Sequence, residues 1–164
     1  MLSDSTIRVL LANGTIGIVP TPADVAFQPA SVDLCLDDTF LVGTRRTQVS
    51  GESFQLGAGV CALASTVETV TLPASVVGRV EGKSTWGRRF LMVHSTAGFI
   101  DPGFSGQITL ELCNLTRRPL LLYPGRAIAQ ISFDWLDVPA RRPYGHPELR
   151  SHYQHQRGVT PPHS

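Results

Sequence analysis

The stretch "HSTAGFIDPGFSGQITLEL", His94 to Leu112, decides how the chain is read. Its second half alternates. Extended backbone sends Ile108, Leu110 and Leu112 to one face and Gln107, Thr109 and Glu111 to the other. A Gly/Pro-rich turn carrying Asp101 comes just before. Glu111 then faces either open water or a polar cavity, and the company of Thr109, Gln107 and Asp101 gives the cavity reading its weight. A carboxylate partly shielded from water has its pKa raised toward neutrality and can serve as a general base. His94, alone in an apolar strand, reads first as a satisfied core or surface residue and only second as a base.

The same period-two pattern recurs outward from this stretch. "SVDLCL" puts Val32, Leu34 and Leu36 on one face and Asp33 and Cys35 on the other. "GVCALASTVETVTL", "VVGRVEG", "FLMVHST", "PLLLYPG" and "AIAQISFDWL" are further strand candidates, punctuated by Gly, Pro, Asn and Asp as in an all-β sandwich or barrel. One short helix opens the chain: Ser3 or Asp4 can cap it, Ile7, Leu10 and Leu11 fall at helical spacing, and Gly14 can end it. No second helical pattern of useful length follows, which argues against a βαβ arrangement. From Pro139 onward Pro, Arg, His and Gln dominate and the chain ends "QHQRGVTPPHS". Too poor in apolar residues to pack alone, this tail is either a frayed end or a flap that orders over a ligand, with Arg157 and Gly158 near an anionic group.

Composition bounds the rest. With 164 residues, 42% hydrophobic and 16% charged, the chain suits one domain with a sizeable core. A net charge of +1 gives no electrostatic case for nucleic acid or membrane, and no apolar run approaches the roughly 20 residues that span a bilayer. "MLSDSTIRVLL" lacks the basic start of a secretory signal, so cytoplasm is the expected location. Cys35, Cys61 and Cys113 are far apart and odd in number, which reads as three free thiols in a reducing compartment. His146, His152, His155 and His163 do not fall at metal-ligand spacing.

"EGKSTWGRR", Glu81 to Arg89, crowds cations, hydroxyls and glycine directly after a strand. Lys83, Ser84, Thr85, Gly87, Arg88 and Arg89 suit a phosphate, because hydroxyls and backbone N–H groups donate while Lys and Arg supply charge. It is not a Walker loop, and alone it reads first as a solvated basic turn and only second as a phosphate site.

Taken together, "EGKSTWGRR…HSTAGFIDPGFSGQITLELCN…LYPGRAIAQISF" resembles the dCTP deaminase branch of the trimeric dUTPase-like superfamily. "SDSTIRVLLANGTIGI" and "QPASVDLCL" are similar to that branch's opening helix and first strand, and "RPYG" and "YQHQRGVTP" to its closing tail, so the likeness spans nearly the whole chain. "TAGFIDPGF" with Gly98 and "GRAIAQISF" with Gln130 resemble the bifunctional, dUMP-forming members, whereas members that only deaminate carry a basic "HRID" at the former place.

The resemblance implies a jelly-roll β-barrel over residues 1–138, a tail over 139–164 that closes on the nucleotide, and a homotrimer with sites between subunits, tail and motif block coming from different chains. It implies deamination of dCTP at cytosine C4 without zinc, in keeping with the absent HxE…PCxxC signature, followed by pyrophosphate release to dUMP. Glu111 would be general base, Ser84 would hold the water, Arg88 would stabilise charge, and Asp101 would face the sugar and the phosphate-side water. The backbone around Thr96 and Ala97 would meet the base. Lys83, Thr85 and Gln130, with Tyr144, Tyr153 and Gln156 of the tail, would bind sugar and phosphates. Mg²⁺ would ride on the triphosphate, with no protein cage. Alternatives are deamination that stops at dUTP, hydrolysis of dUTP alone, and a non-catalytic nucleotide-binding module. Departures from the family pattern are Thr85, Trp86, Arg89, Phe90 and His152, and a short loop between Leu41 and Phe54; these bear on substrate choice.

Overall fold

The computed structural model describes residues 1–163; Ser164, the last residue of the expected tail, lies outside the described residues. The opening helix α1 (Asp4–Ala12) starts where expected: Ser3 Oγ accepts the Thr6 N–H at 3.4 Å, and Ile7 and Leu10 face the core. Asn13 ends it, and Gly14 at φ 75° leads the chain away. The first strands are β1 (Gly17–Val19), β2 (Phe27–Gln28), β3 (Ser31–Cys35), β4 (Thr39–Val42), β5 (Arg45–Gln48) and β6 (Phe54–Leu56). They are followed by β7 (Cys61–Thr71), β8 (Val76–Gly82), a one-turn helix α2 (Ser84–Gly87), β9 (Leu91–Met92) and β10 (Phe99–Ile100). The last are β11 (Ser105–Asn114), β12 (Leu120–Leu122) and β13 (Ala127–Trp135).

Two antiparallel sheets face each other. One runs β5-β4-β7-β11-β9, with β1 also on β7; the other runs β10-β8-β13-β3-β2, and β12 with β6 forms a small separate ribbon. The inward faces supply the core, including Leu34, Phe40, Leu110, Leu112, Ile131 and Phe133, all fully buried. Alternation in β11 is as the sequence implied: Ile108, Leu110 and Leu112 are buried, while Gln107, Thr109 and Glu111 are half-buried. Between β11 and β7 the register slips. Gln107 faces Thr69 and Thr109 faces Ser65, so residues 66–68 bulge opposite Ile108 alone. Thr66 Oγ1 holds the bulge, accepting the Ile108 N–H at 3.0 Å and donating to Glu68 O at 2.8 Å.

Four expectations need correcting. "FLMVHST" is a strand only at Leu91–Met92, because the chain then turns so that the His94 ring packs on Gly98, where a Cβ would lie 3.0 Å from it. "EGKSTWGRR" is not an open turn but contains α2, and Trp86 is buried with its Nε1 donating to Ala127 O at 3.2 Å. Asp33 is buried along with Val32 and Leu34, since Lys83 reaches over it as an ion-pair partner. The cysteines are not three free thiols. Antiparallel pairing sets Cys61 opposite Cys113 at a Cα separation of 4.1 Å, and the two form a disulfide. A separation of 52 residues hides this in the sequence.

Beyond β13 the described chain has neither helix nor strand, yet it does not fray. Ala140 N donates to Ala74 O at 2.8 Å, Tyr144 N to Pro102 O at 2.8 Å and His155 N to Ser105 O at 2.7 Å. Val159 is buried. No helix is long and apolar enough to cross a membrane among the described residues.

Candidate active site

The turn ahead of β11 is built by its own residues. Phe104 N donates to Asp101 O at 3.1 Å across Pro102-Gly103, and Gly103 sits at φ 91°, as a type II turn requires of its third residue. Gly103 also admits the tail: a Cβ there would lie 2.6 Å from Pro143 Cβ and 3.0 Å from Tyr144 N. Tyr144 then packs edge-on against Phe104, centroids 5.8 Å apart, and its hydroxyl accepts the Tyr153 N–H at 3.0 Å.

This docking encloses a cavity of about 600 Å³. Glu111 and Thr109 of β11 form one wall, with Leu63 of β7 beside them. The Ala97 loop, β10 and Asp101 form a second, and Tyr144, Tyr153, Gln156, Thr160 and Pro162 close it from the tail. The size suits a small-molecule site with apolar walls and a few polar groups. Glu111 Oε2 accepts the Ser95 N–H at 3.2 Å, which ties the 94–98 loop to the acid. Two buried polar atoms on these walls, Thr109 Oγ1 and Gln156 Oε1, have no protein partner.

Six expected site residues thus come together within one chain: Glu111, Asp101, Ala97, Tyr144, Tyr153 and Gln156. Within the single chain the tail docks on its own β11. The other six lie elsewhere. Ser84, Thr85 and Arg88 are exposed on and beside α2, outside the cavity, and Thr96 is exposed in the loop next to Ala97. Lys83 is engaged by Asp33. Gln130 lies in the other sheet, its Oε1 accepting from Ser31 Oγ at 3.0 Å, in a second, smaller pocket with Arg79, Glu81 and Ser132.

Thr109 was readable from its place beside Glu111 in the alternation; the apolar walls Phe99, Ile100, Phe104 and Ile108, and Thr160 and Pro162, carried no chemical signal. His152 is exposed and stacks on His163, centroids 5.3 Å apart, and Arg89 lies 5.2 Å over the Trp86 ring. Phe90 is exposed with φ 58°, a conformation that favours glycine.

An unused buried pair lies behind the site. Glu68 is 7% exposed, and both its oxygens accept the Cys35 N–H, at 2.9 and 3.2 Å. Burial pushes the Glu68 carboxyl above the usual range despite that bond. Burial, then the Glu68 charge, pushes the Cys35 thiol up to about 11.

This pair of sheets with a tail-covered cavity is a dUTPase-like fold. The chain matches a 2'-deoxycytidine 5'-triphosphate deaminase from Agrobacterium tumefaciens at TM-score 0.67 and 24% identity, over 80% of this chain and 47% of that one. It matches native EIAV dUTPase at TM-score 0.56 and 20% identity, over 82% of this chain and 99% of that one. The chain belongs to the dCTP deaminase-like family, which it matches over residues 1–136. Among its relatives are the proteins named dCTP deaminase, dUMP-forming, of Corynebacterium diphtheriae, 44% identical over 98% of this chain and 95% of the relative, and of Mycobacterium avium, 45% identical over 98% and 94%.

Proposed function

We infer that this chain deaminates dCTP and releases pyrophosphate to give dUMP. The observation that carries the reading is Glu111, a half-buried carboxylate held by the Ser95 N–H in a cavity with two unpartnered polar atoms, on a chain about 45% identical to dUMP-forming dCTP deaminases. Glu111 takes a proton from water, whose oxygen adds to cytosine C4, and passes it to ring N3; it then moves the proton of the added hydroxyl to the C4 amino group, the C4–N bond breaks, ammonia leaves, and the C4 carbonyl forms. The backbone around Ala97, which lines the cavity, and its neighbour Thr96 would read the base, and Thr109 and Gln156 are polar side chains on the same walls. Tyr144 and Tyr153 pack over the nucleotide with the tail, so residues 1–138 act as the body and the segment from 139 as its lid. Asp101, exposed at the rim, faces the sugar and orients water for the second cleavage.

Ser84 and Arg88 complete the chemistry from a second copy of the chain. Both are exposed outside their own cavity, as residues donated to a neighbour would be. Thr85 accompanies them, Gln130 belongs to the same donated surface, and Lys83 reaches phosphate by sharing its charge with Asp33. A homotrimer with sites between subunits is the assembly this implies. The reaction is read as zinc-free, in keeping with the absent HxE…PCxxC signature. Mg²⁺ would ride on the triphosphate, and Asp101 is a carboxylate on the wall of the cavity. Bound there, it would offset phosphate charge.

The test is incubation with dCTP and Mg²⁺, separation of nucleotides, and assay of ammonia and pyrophosphate. dUMP with both by-products is expected. dUTP with ammonia alone would remove the second step, and unchanged dCTP would overturn the reading.

A further inference from the structure

Gln107 sits beside the catalytic wall yet does not line the cavity. Its hydrogen bonds run the opposite way, to the tail and to the β7 bulge. Its backbone N–H donates to Gln156 O at 3.1 Å, and its C=O accepts the Gln156 Nε2–H at 2.7 Å. Its side-chain Oε1 accepts the Gly158 N–H at 2.6 Å, while Nε2 donates to Thr66 O at 2.8 Å and Val67 O at 3.2 Å. Asp37 Oδ2, at 3.4 Å, is a weaker third acceptor. One carboxamide therefore uses its acceptor on the tail and its donors on the bulge. Glu has no donor for the two carbonyls, and an apolar residue has neither group.

Two neighbours make the contact possible. Gly106 lets the tail lie flat, since a Cβ there would be 3.2 Å from both Gln156 N and O. Arg46 Nη2 donates to Val159 O at 3.1 Å, fixing the residue just beyond Gly158. Past these ties come Thr160 and Pro162, which line the cavity together with the held Gln156.

We propose that Gln107 is a positioning residue, the latch that holds the C-terminal tail closed on the strand carrying Thr109 and Glu111. It sets nucleotide affinity through Gln156 and touches no reacting atom. This rests on the cavity being the nucleotide site. With the latch in place the tail is ordered before substrate arrives, so binding does not have to order it. Without it the substrate bears that cost, and the loss falls on KM more than on kcat.

The experiment is a cycle of Gln107→Met, deletion of residues 156–164, and the two combined, all in the otherwise full chain. Hydrogen exchange at the amides of residues 155–158 and KM and kcat for dCTP are read in each full-tail protein, and kinetics alone in the truncated ones. Gln107→Met is expected to lose protection at these amides and raise KM about tenfold, roughly what one or two lost hydrogen bonds cost, with a smaller change in kcat. In the truncated protein the same substitution is expected to change nothing further. Wild-type protection in Gln107→Met, or an added effect of it after truncation, would overturn the latch. Should Gln107→Met not fold, Gly106→Ala lifts the tail from the other side, and unchanged exchange there would equally overturn it. Absence of dCTP turnover in the wild type would remove the function while leaving the exchange result to decide the latch.

Discussion

Glu111 and Ser95 meet across 16 residues of sequence, the carboxylate Oε2 accepting the Ser95 N–H at 3.2 Å. The bond joins the floor of the cavity to the loop that holds Ala97, so the acid and the backbone expected to read the base are one unit. A carboxylate anchored on one oxygen keeps the other for water. Glu111→Gln retains the shape and an acceptor but cannot take a proton. Deamination is expected to fall by about 10²- to 10⁴-fold, with the thermal midpoint little changed. Ammonia release in single turnover checks it, and an intact rate would remove Glu111 from the mechanism.

Arg88 lies outside the cavity that holds Glu111. If copies exchange these residues, Arg88→Ala and Glu111→Gln are each inactive alone but complement when mixed and reassembled. A random equal mixture recovers about a quarter of wild-type activity, because a working site needs one intact contributor of each kind. No recovery after exchange, verified by mass spectrometry of mixed oligomers, would confine the site to one chain.

Gly103 answers to two constraints at once, its φ of 91° and the approach of Pro143. Gly103→Ala is expected to cost about 1 kcal/mol or more in urea unfolding, and to raise the KM for dCTP as Tyr144 is displaced. A wild-type KM would show that the tail's seat on the turn is dispensable.

The Cys61–Cys113 disulfide closes a loop of 52 residues, and Cys61 is exposed to solvent. Cys113→Ser, or reduction, is expected to lower stability by about 2–4 kcal/mol. Urea unfolding with and without a dithiol reductant reads this, and equal midpoints would show that the bridge adds nothing.

Glu68 and Cys35 give a pH signature. The folded Glu68 carboxyl is raised by burial, so the folded state binds its proton more tightly than the unfolded chain. Its contribution is complete below the ordinary value of 4.5 and is lost as pH rises through the folded pKa. Relative to wild type, Glu68→Gln is therefore expected to gain in urea midpoint as pH rises from 4 to 8. Cys35, raised from 9.0 to about 11, is expected to resist alkylation at pH 8 until the chain unfolds. Rapid labelling of the native protein would contradict that.

Local chemistry wrote much of this molecule into its sequence. Alternation in β11 depends only on strand geometry, and so it placed Glu111 and Thr109 on the polar face correctly. The Ser3 cap, the DPG turn and the boundaries of β8 and β13 are likewise local, set by side chains a few residues apart. The long motif block carried the family.

Partnership at long range was decided only by the tertiary structure. Cys61 meets Cys113, Lys83 meets Asp33, and Gln107 holds a tail about fifty residues further on, because strands distant in sequence are neighbours in the sheets. Nothing in "QHQRGVTPPHS" distinguishes a frayed end from a lid; the difference lies in whether its backbone finds partners, and those are supplied by the edge of β11 and the turn before it. Sequence determined which groups were present and which way each strand faced. Packing decided which of them met, since hydrogen bonds and burial act across space and have no fixed spacing along the chain.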